Sequence, residues 1–133
     1  MDLLDIYIKF FQPLTMKVRI KKSDFIRWYL KLFNGFLGLS NREILILEEL
    51  IKQRELLSSI VTQEDVLNSQ LFSSTSRKSI RETCKINSEN LFNNYFSSLK
   101  KKGVIEQTNN GYKLSDKILP NKKVTFEVEF INE

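Results

Sequence analysis

SSTSRKSIRETCKINSENLFNNYFSSLKKKGVIEQTNNGYKLS, running from Ser73 to Ser115, is the stretch from which the fold can be read. Near its start, Ser74, Thr75 or Ser76 can cap a helix that ends near Cys84, because a side-chain hydroxyl satisfies a free amide of the first turn. Cys84-Lys85-Ile86-Asn87 is short enough for a tight turn between two crossed helices. Asn87 or Ser88 caps the next helix. Its apolar residues Phe92, Tyr95, Phe96 and Leu99 fall on one face, which is the spacing of a buried helical stripe. That helix is expected to end at Lys100-Lys101-Lys102-Gly103: glycine suits the left-handed position after the last turn, and lysines complement the negative helix end.

Two short apolar segments follow, Val104 to Thr108 and Tyr112 to Ser115. Asn109-Asn110-Gly111 lies between them, and Asn-Gly accepts positive φ at both central positions of a hairpin turn. The expected order is helix, turn, helix, strand, strand.

Upstream, Ser40-Asn41-Arg42-Glu43 has the form of a capping box, in which serine and glutamate satisfy each other's free amides. Ile44, Leu47, Leu50 and Ile51 would be the core stripe of that helix, which is expected to reach about Arg54. Glu55 to Ile60 is ambiguous. Thr62-Gln63-Glu64-Asp65 starts a short helix that continues to about Leu71. Before Ser40, Ser23 or Asp24 can cap a helix through FIRWYLKLFNGF, which Gly35 and Gly38 would end. Phe25, Ile26, Trp28, Tyr29, Leu30, Leu32, Phe33 and Phe36 cover most of its circumference, so burial on several sides is expected.

The two ends of the chain read as strands. Met16, Val18 and Ile20 alternate with Lys17, Arg19 and Lys21. Val124, Phe126, Val128 and Phe130 alternate with Thr125, Glu127 and Glu129, which is half-buried strand patterning. A single strand needs an edge to pair with, in this chain or in another.

Composition narrows the chemistry. The 133 residues can enclose one hydrophobic core. Cys84 is the single cysteine and histidine is absent. An internal disulfide is therefore impossible, which points to a reducing compartment, and a zinc site of usual composition is excluded. The commonest general base and the Ser-His and Cys-His pairs are missing too. Gly35, Gly38, Gly103 and Gly111 are not at phosphate-loop spacing. No cofactor, no metal and no enzymatic activity are expected. Asp2 and Asp5 stand where a signal peptide needs basic residues, and no apolar run approaches the ~20 residues of a membrane span. The expectation is a cytoplasmic protein without membrane attachment.

Charge is unevenly placed. Between Arg77 and Lys102 lie Arg77, Lys78, Arg81, Lys85, Lys100, Lys101 and Lys102 against Glu82 and Glu89, which accounts for the whole formal net charge of +5. A charge run is commonly a solvated face. Its coincidence with the two helices around the tight turn favours a surface facing phosphates.

Residues 40–115 resemble the winged helix-turn-helix superfamily. The resemblance is carried by the apolar turn residue Ile86, the Ser88-initiated helix, the Leu99-Lys100-Lys101-Lys102-Gly103-Val104-Ile105 ending and the hairpin after it. REILILEEL and NLFNNYFSSLKKKGVI also look like small proteins encoded by tailed phages of low-GC hosts. The resemblance implies a winged helix-turn-helix domain at 40–115; with the strand and apolar helix read at 1–39 and the strand at 116–133, which the resemblance does not cover, the expected fold is α+β.

In DNA-binding members of that superfamily, the helix after the turn enters the major groove. Carried onto this chain, the base-facing residues would be Ser88, Glu89, Asn90, Asn93, Asn94 and Ser97. Asparagine can pair with adenine N6 and N7 together. Arg77, Lys78, Arg81, Lys100 and Lys101 would meet phosphates, and Lys113 on the wing would reach a flanking one. Each has a plainer reading. Glu89 can simply favour the positive helix start, the asparagines can be solvated positions, and Tyr95, Phe96 and Cys84 are packing residues.

Two functions follow. One is a non-enzymatic regulator or replication accessory that binds double-stranded DNA as a homo-oligomer assembled through residues 1–36 and 124–130. The other is a phage virion or assembly protein that uses the same fold for contacts with other phage proteins, in the host cytoplasm or the virion.

Overall fold

The computed structural model describes residues 21–119, apart from the side chains of Lys22, Ser23, Phe33 and Phe36. The strands expected at residues 16–20 and 124–130 lie outside the described residues, as does the packing of Phe33 and Phe36. Among the described residues, five α-helices are followed by a two-stranded antiparallel sheet: α1 (Lys22–Leu37), α2 (Asn41–Ser58), α3 (Glu64–Leu71), α4 (Ser74–Thr83), α5 (Glu89–Lys101), β1 (Ile105–Thr108) and β2 (Gly111–Leu114). A single 3-10 turn, Asp116–Ile118, follows β2. The fold is mixed α and β, with most of its mass in helices.

One core serves all of these elements. Ile26 and Leu30 of α1, Ile44, Ile46, Leu47, Leu50 and Ile51 of α2, Ile80 of α4 and Phe92, Phe96 and Leu99 of α5 pack with Ile105, Leu114 and Ile118. The helix read from the sequence as part of an extension thus shares its core with the helices after it. Arg27 reinforces that join, its Nε donating to Glu48 at 2.9 Å. The α1 helix is not sunk on all sides: Ile26, Tyr29 and Leu30 are buried, Phe25 and Trp28 are half-buried, and Leu32 is exposed. Only one of its faces meets α2.

Helix boundaries follow local chemistry. The capping box at α2 is complete: Ser40 Oγ accepts from the Glu43 amide at 3.2 Å, and the Ser40 amide donates to Glu43 Oε1 at 3.1 Å. The helix runs past Arg54 to Ser58. Gly35 lies inside α1, and Gly38 alone takes the left-handed conformation, at φ 63°. The α4 cap is Ser73, one residue before the expected hydroxyls, accepting from the Ser76 amide at 3.3 Å. Ser88 caps α5.

The ends of α4 and α5 are built alike. After α5, the Gly103 amide donates to the Lys100 carbonyl and the Val104 amide to the Leu99 carbonyl. After α4, the Lys85 amide donates to Glu82 and the Ile86 amide to Arg81 in the same pattern. Both are Schellman closures, whose turning residue is left-handed. Gly103 adopts φ 78° there freely, whereas Lys85 adopts φ 57° with a Cβ in the way. A left-handed non-glycine residue costs about 1–2 kcal/mol, partly offset for glycine by its larger unfolded-state entropy. Lys85→Gly should therefore raise stability by about 0.5–1 kcal/mol in urea unfolding, while Lys85→Val lowers it. A glycine variant less stable than the parent would contradict this account of the turn.

The hairpin pairs Ile105 with Leu114, Glu106 with Lys113, Gln107 with Tyr112 and Thr108 with Gly111. The two loop residues are therefore Asn109 and Asn110, not Asn110 and Gly111 as the Asn-Gly reading expected. Neither has positive φ; among the described residues, only Lys85 combines a side chain with positive φ. Glycine's freedom is used one position later, at Gly111, where φ is 150° as the chain enters β2.

Candidate nucleic-acid interface

The orientation of α5 follows from its sequence. Phe92, Phe96 and Leu99 are buried and Tyr95 is half-buried, so the opposite side must face out. That side carries Asn90, Asn93, Asn94, Ser97 and Lys101, all exposed and one turn or less apart. Glu89 is exposed in the first turn, and Leu91 beside it is 45% exposed. Ser88 is exposed too, with its hydroxyl engaged as the cap, accepting from the Leu91 amide at 3.2 Å.

The basic residues divide into three groups. Lys102 turns inward, its Nζ donating to Glu43 Oε1 at 2.7 Å and to the Gly38 carbonyl at 2.8 Å. It is therefore spent within the fold. Lys113 sits across the hairpin from Glu106, with its Nζ 3.6 Å from that carboxylate. Its charge is locally balanced.

Arg77, Lys78, Arg81, Lys100 and Lys101 form no ion pair among the described residues. Lys78 and Lys101 are exposed. Arg81 is half-buried, its Nη1 donating to the Asn87 carbonyl at 3.2 Å and so bracing the turn. Arg77 and Lys100 occupy a shared aromatic seat. The Arg77 guanidinium carbon is 4.5 Å from the Phe96 ring centre and 5.6 Å from that of Tyr112. Lys100 Nζ is 5.6 Å and 5.1 Å from the same two rings. Phe96 and Tyr112 themselves meet edge to face at 5.4 Å, and Phe72 closes the group at 5.9 Å from Phe96. Ring faces attract both cations without cancelling their charge. Buried Arg77 Nε has no hydrogen-bond partner.

The structure thus brings Arg77, Lys100 and the hairpin residue Tyr112 together, and keeps Lys113 apart on its own ion pair. Tyr112 was read from the sequence only as a strand residue. The Phe96–Lys100 proximity has a sequence signal, since residues four apart share a helix face. The approach of Tyr112 has none, because it depends on where the hairpin docks.

On another part of the surface, a shallow cleft of about 320 Å³ is lined by Arg27, Arg42, Glu48, Glu49, Cys84 and Lys85, among others. Its charges are mixed, and Arg42 Nη1 donates to the Cys84 carbonyl at 3.2 Å. Burial chiefly pushes the Cys84 thiol up to about 11, with Glu49 adding to the effect. At neutral pH it is a protonated packing group, not a nucleophile. Among the described residues, no three acidic or cysteine side chains gather as a metal would require, and no helix is long and apolar enough to cross a membrane.

No protein-family model, curated protein or solved structure matches this chain.

Proposed function

We propose that the chain is a non-enzymatic protein that binds double-stranded DNA with a winged helix-turn-helix. In this reading α4, the turn at 84–87 and α5 form the helix-turn-helix, and the β1–β2 hairpin is the wing. The outward face of α5 lies in the major groove, presenting Asn90, Asn93, Asn94 and Ser97 to base edges. Arg77, Lys78, Arg81, Lys100 and Lys101 meet phosphates on either side. The observation that carries this reading is the coincidence of two things: five cations without carboxylate partners among the described residues, and a row of uncommitted amides on the helix they frame. Asn90, Asn93, Asn94 and Ser97 make no side-chain hydrogen bond among the described residues.

Fluorescence anisotropy with a duplex at two salt concentrations tests the proposal. Neutralising about four phosphates implies roughly hundredfold weaker binding between ~50 and ~200 mM salt. Lys78→Glu with Lys101→Glu, two exposed positions, should weaken binding at least about tenfold and flatten the salt dependence. Binding that ignores salt, or is untouched by the double charge reversal, would sink it.

A second reading, a phage assembly protein, is favoured by the end of α2. Leu56 is 70% and Ile60 81% exposed, and Val66 of α3 is exposed as well. Large exposed apolar side chains suit a protein partner. Light scattering separates the two readings: a large assembly formed without DNA, and no salt-sensitive duplex binding, would favour the second.

A further inference from the structure

The residue that the DNA reading does not use is Leu91. It sits in the first turns of α5 between Asn90 and Phe92, 45% exposed, at the edge between the asparagine row and the buried stripe, and is the only exposed large apolar side chain of that helix. Asn94, one turn further on, is fully polar and exposed. Resting on the DNA-binding proposal, we infer that α5 selects A·T base pairs, and that Leu91 is a specificity-determining residue that packs against thymine methyl groups.

The chemistry of the face leads there by elimination and by fit. Guanine is read in the major groove chiefly by the fork of arginine or by lysine, through O6 and N7. The positions 89, 90, 91, 93, 94 and 97 contain neither; Lys101 shares their face but stands in the last turn, where the DNA-binding reading gives it a phosphate. What they contain is three asparagines, whose amides match adenine N6 and N7, and one aliphatic side chain, which matches the C5-methyl group of thymine. Glu89 is the single group that could accept from cytosine, and it stands at the positive helix start, where a carboxylate is already favoured.

Spacing agrees. Asn90 and Asn94 lie one helical turn apart, a rise of about 6 Å. Two base steps rise about 6.8 Å. A helix following the groove can therefore place the two amides on bases two steps apart, with Leu91 over the methyl groups between or beside them. The occupant of this face is an anionic polymer because Arg77, Lys100 and Lys101 stand at it with no carboxylate partner among the described residues. An acidic protein would find the same cations, but it would offer no methyl group that can be removed chemically from a base.

That difference supplies the test. The full chain is titrated at one salt concentration with three duplexes of about 20 base pairs: A·T-rich, the same sequence with deoxyuridine replacing thymidine, and G·C-rich. Deoxyuridine deletes only the C5-methyl group. A buried methyl group is worth about fourfold in affinity, so the uridine duplex should bind at least about fourfold more weakly than its parent. Leu91→Ala should abolish that difference while keeping the preference for A·T over G·C. Asn94→Ala should instead narrow the A·T preference by roughly five- to a hundredfold. Both positions are exposed, and circular dichroism verifies that the variants fold.

Equal affinity for the thymidine and uridine duplexes, or a difference that survives Leu91→Ala, would overturn the inference. Salt-sensitive binding with no base preference overturns it and leaves the DNA-binding reading standing. Failure to bind any duplex removes both.

Discussion

Phe96→Ala should lower stability by about 3–5 kcal/mol, the range for truncating a buried aromatic residue. Phe96 is only 5% exposed and meets Phe72 and Tyr112 as well as the main core. Its loss would open a cavity at the one place where α4, α5 and the hairpin converge. It would also remove the surface over which Arg77 and Lys100 are held. Domains of this size have about 5–15 kcal/mol in total, so the variant would be close to unfolded at elevated temperature. Phe96→Leu separates the two contributions. It restores most of the volume and should cost less than half as much, leaving the lost ring interactions as the remainder. Urea unfolding of the three proteins measures both. A cost below about 1.5 kcal/mol for the alanine variant would mean that the ring does not close the core there.

The second large effect is expected at Glu43, whose side chain is almost fully enclosed. Its carboxylate accepts from the Ser40 amide, from Ser98 Oγ at 3.1 Å and from Lys102 Nζ at 2.7 Å. Glu43→Ala strands those donors. Breaking a buried pair costs about 3–5 kcal/mol, and the partial exposure of Lys102 reduces this to about 2–3 kcal/mol.

A pH dependence accompanies that loss. Burial pushes the Glu43 carboxyl upward, but the hydrogen bonds from Lys102, Ser40 and Ser98 together outweigh it, so the group titrates below its ordinary value of 4.5. Glu48 is lowered in the same way: burial opposes, and its bonds with Arg27 and Lys52 prevail. A carboxylate lowered by folding contributes its stability in full above its unfolded pKa and loses it as pH falls through the folded one. Stability should therefore be flat near neutrality and decline below about pH 4.5. Glu43→Gln should make that decline shallower, with the Glu48 contribution remaining. An identical acid limb in parent and glutamine variant would show that Glu43 does not titrate with folding.

Local chemistry carried most of the helical framework. Ser40 with Glu43, Ser88 with its apolar stripe, and Gly103 after three lysines each state their role within a few residues, and each sits where that chemistry demands. Where several local answers were equivalent, the reading slipped by one position. Ser73 and the three hydroxyls after it are interchangeable as caps on paper, and only the backbone direction selects the first. Asn110-Gly111 is a sound turn pair, yet the partnership of Thr108 with Gly111 moves the loop back by one residue. The end of α2 was hidden for another reason: beyond Arg54 only Leu57 continues the core stripe, half-buried, while its neighbour Leu56 is exposed, so the adjacent leucines give no clear period.

The candidate site was visible as a list of residues and not as an arrangement. A count of charges treats Lys100, Lys101 and Lys102 alike. In the fold they have three different surroundings: an aromatic seat, open solvent, and a carboxylate from a helix more than fifty residues earlier. Lys113 had the charge for a phosphate contact, but register sets it opposite Glu106. Lys102 meets Glu43 across 59 residues and Lys100 meets Tyr112 only where the hairpin docks, pairings that no local pattern encodes.

The two donors that reach Glu43, Ser98 of α5 and Lys102 at its C-terminal cap, are four residues apart, and so lie one above the other along the same edge of that helix. A rod held at one point can still roll about its long axis; a rod held at two points along one edge cannot. Because each residue on a helix is turned about 100° from the next, even a small roll would bring a different set of side chains to the front. The azimuth of the asparagine row is thus governed from behind, by a carboxylate that never reaches the surface it helps to aim.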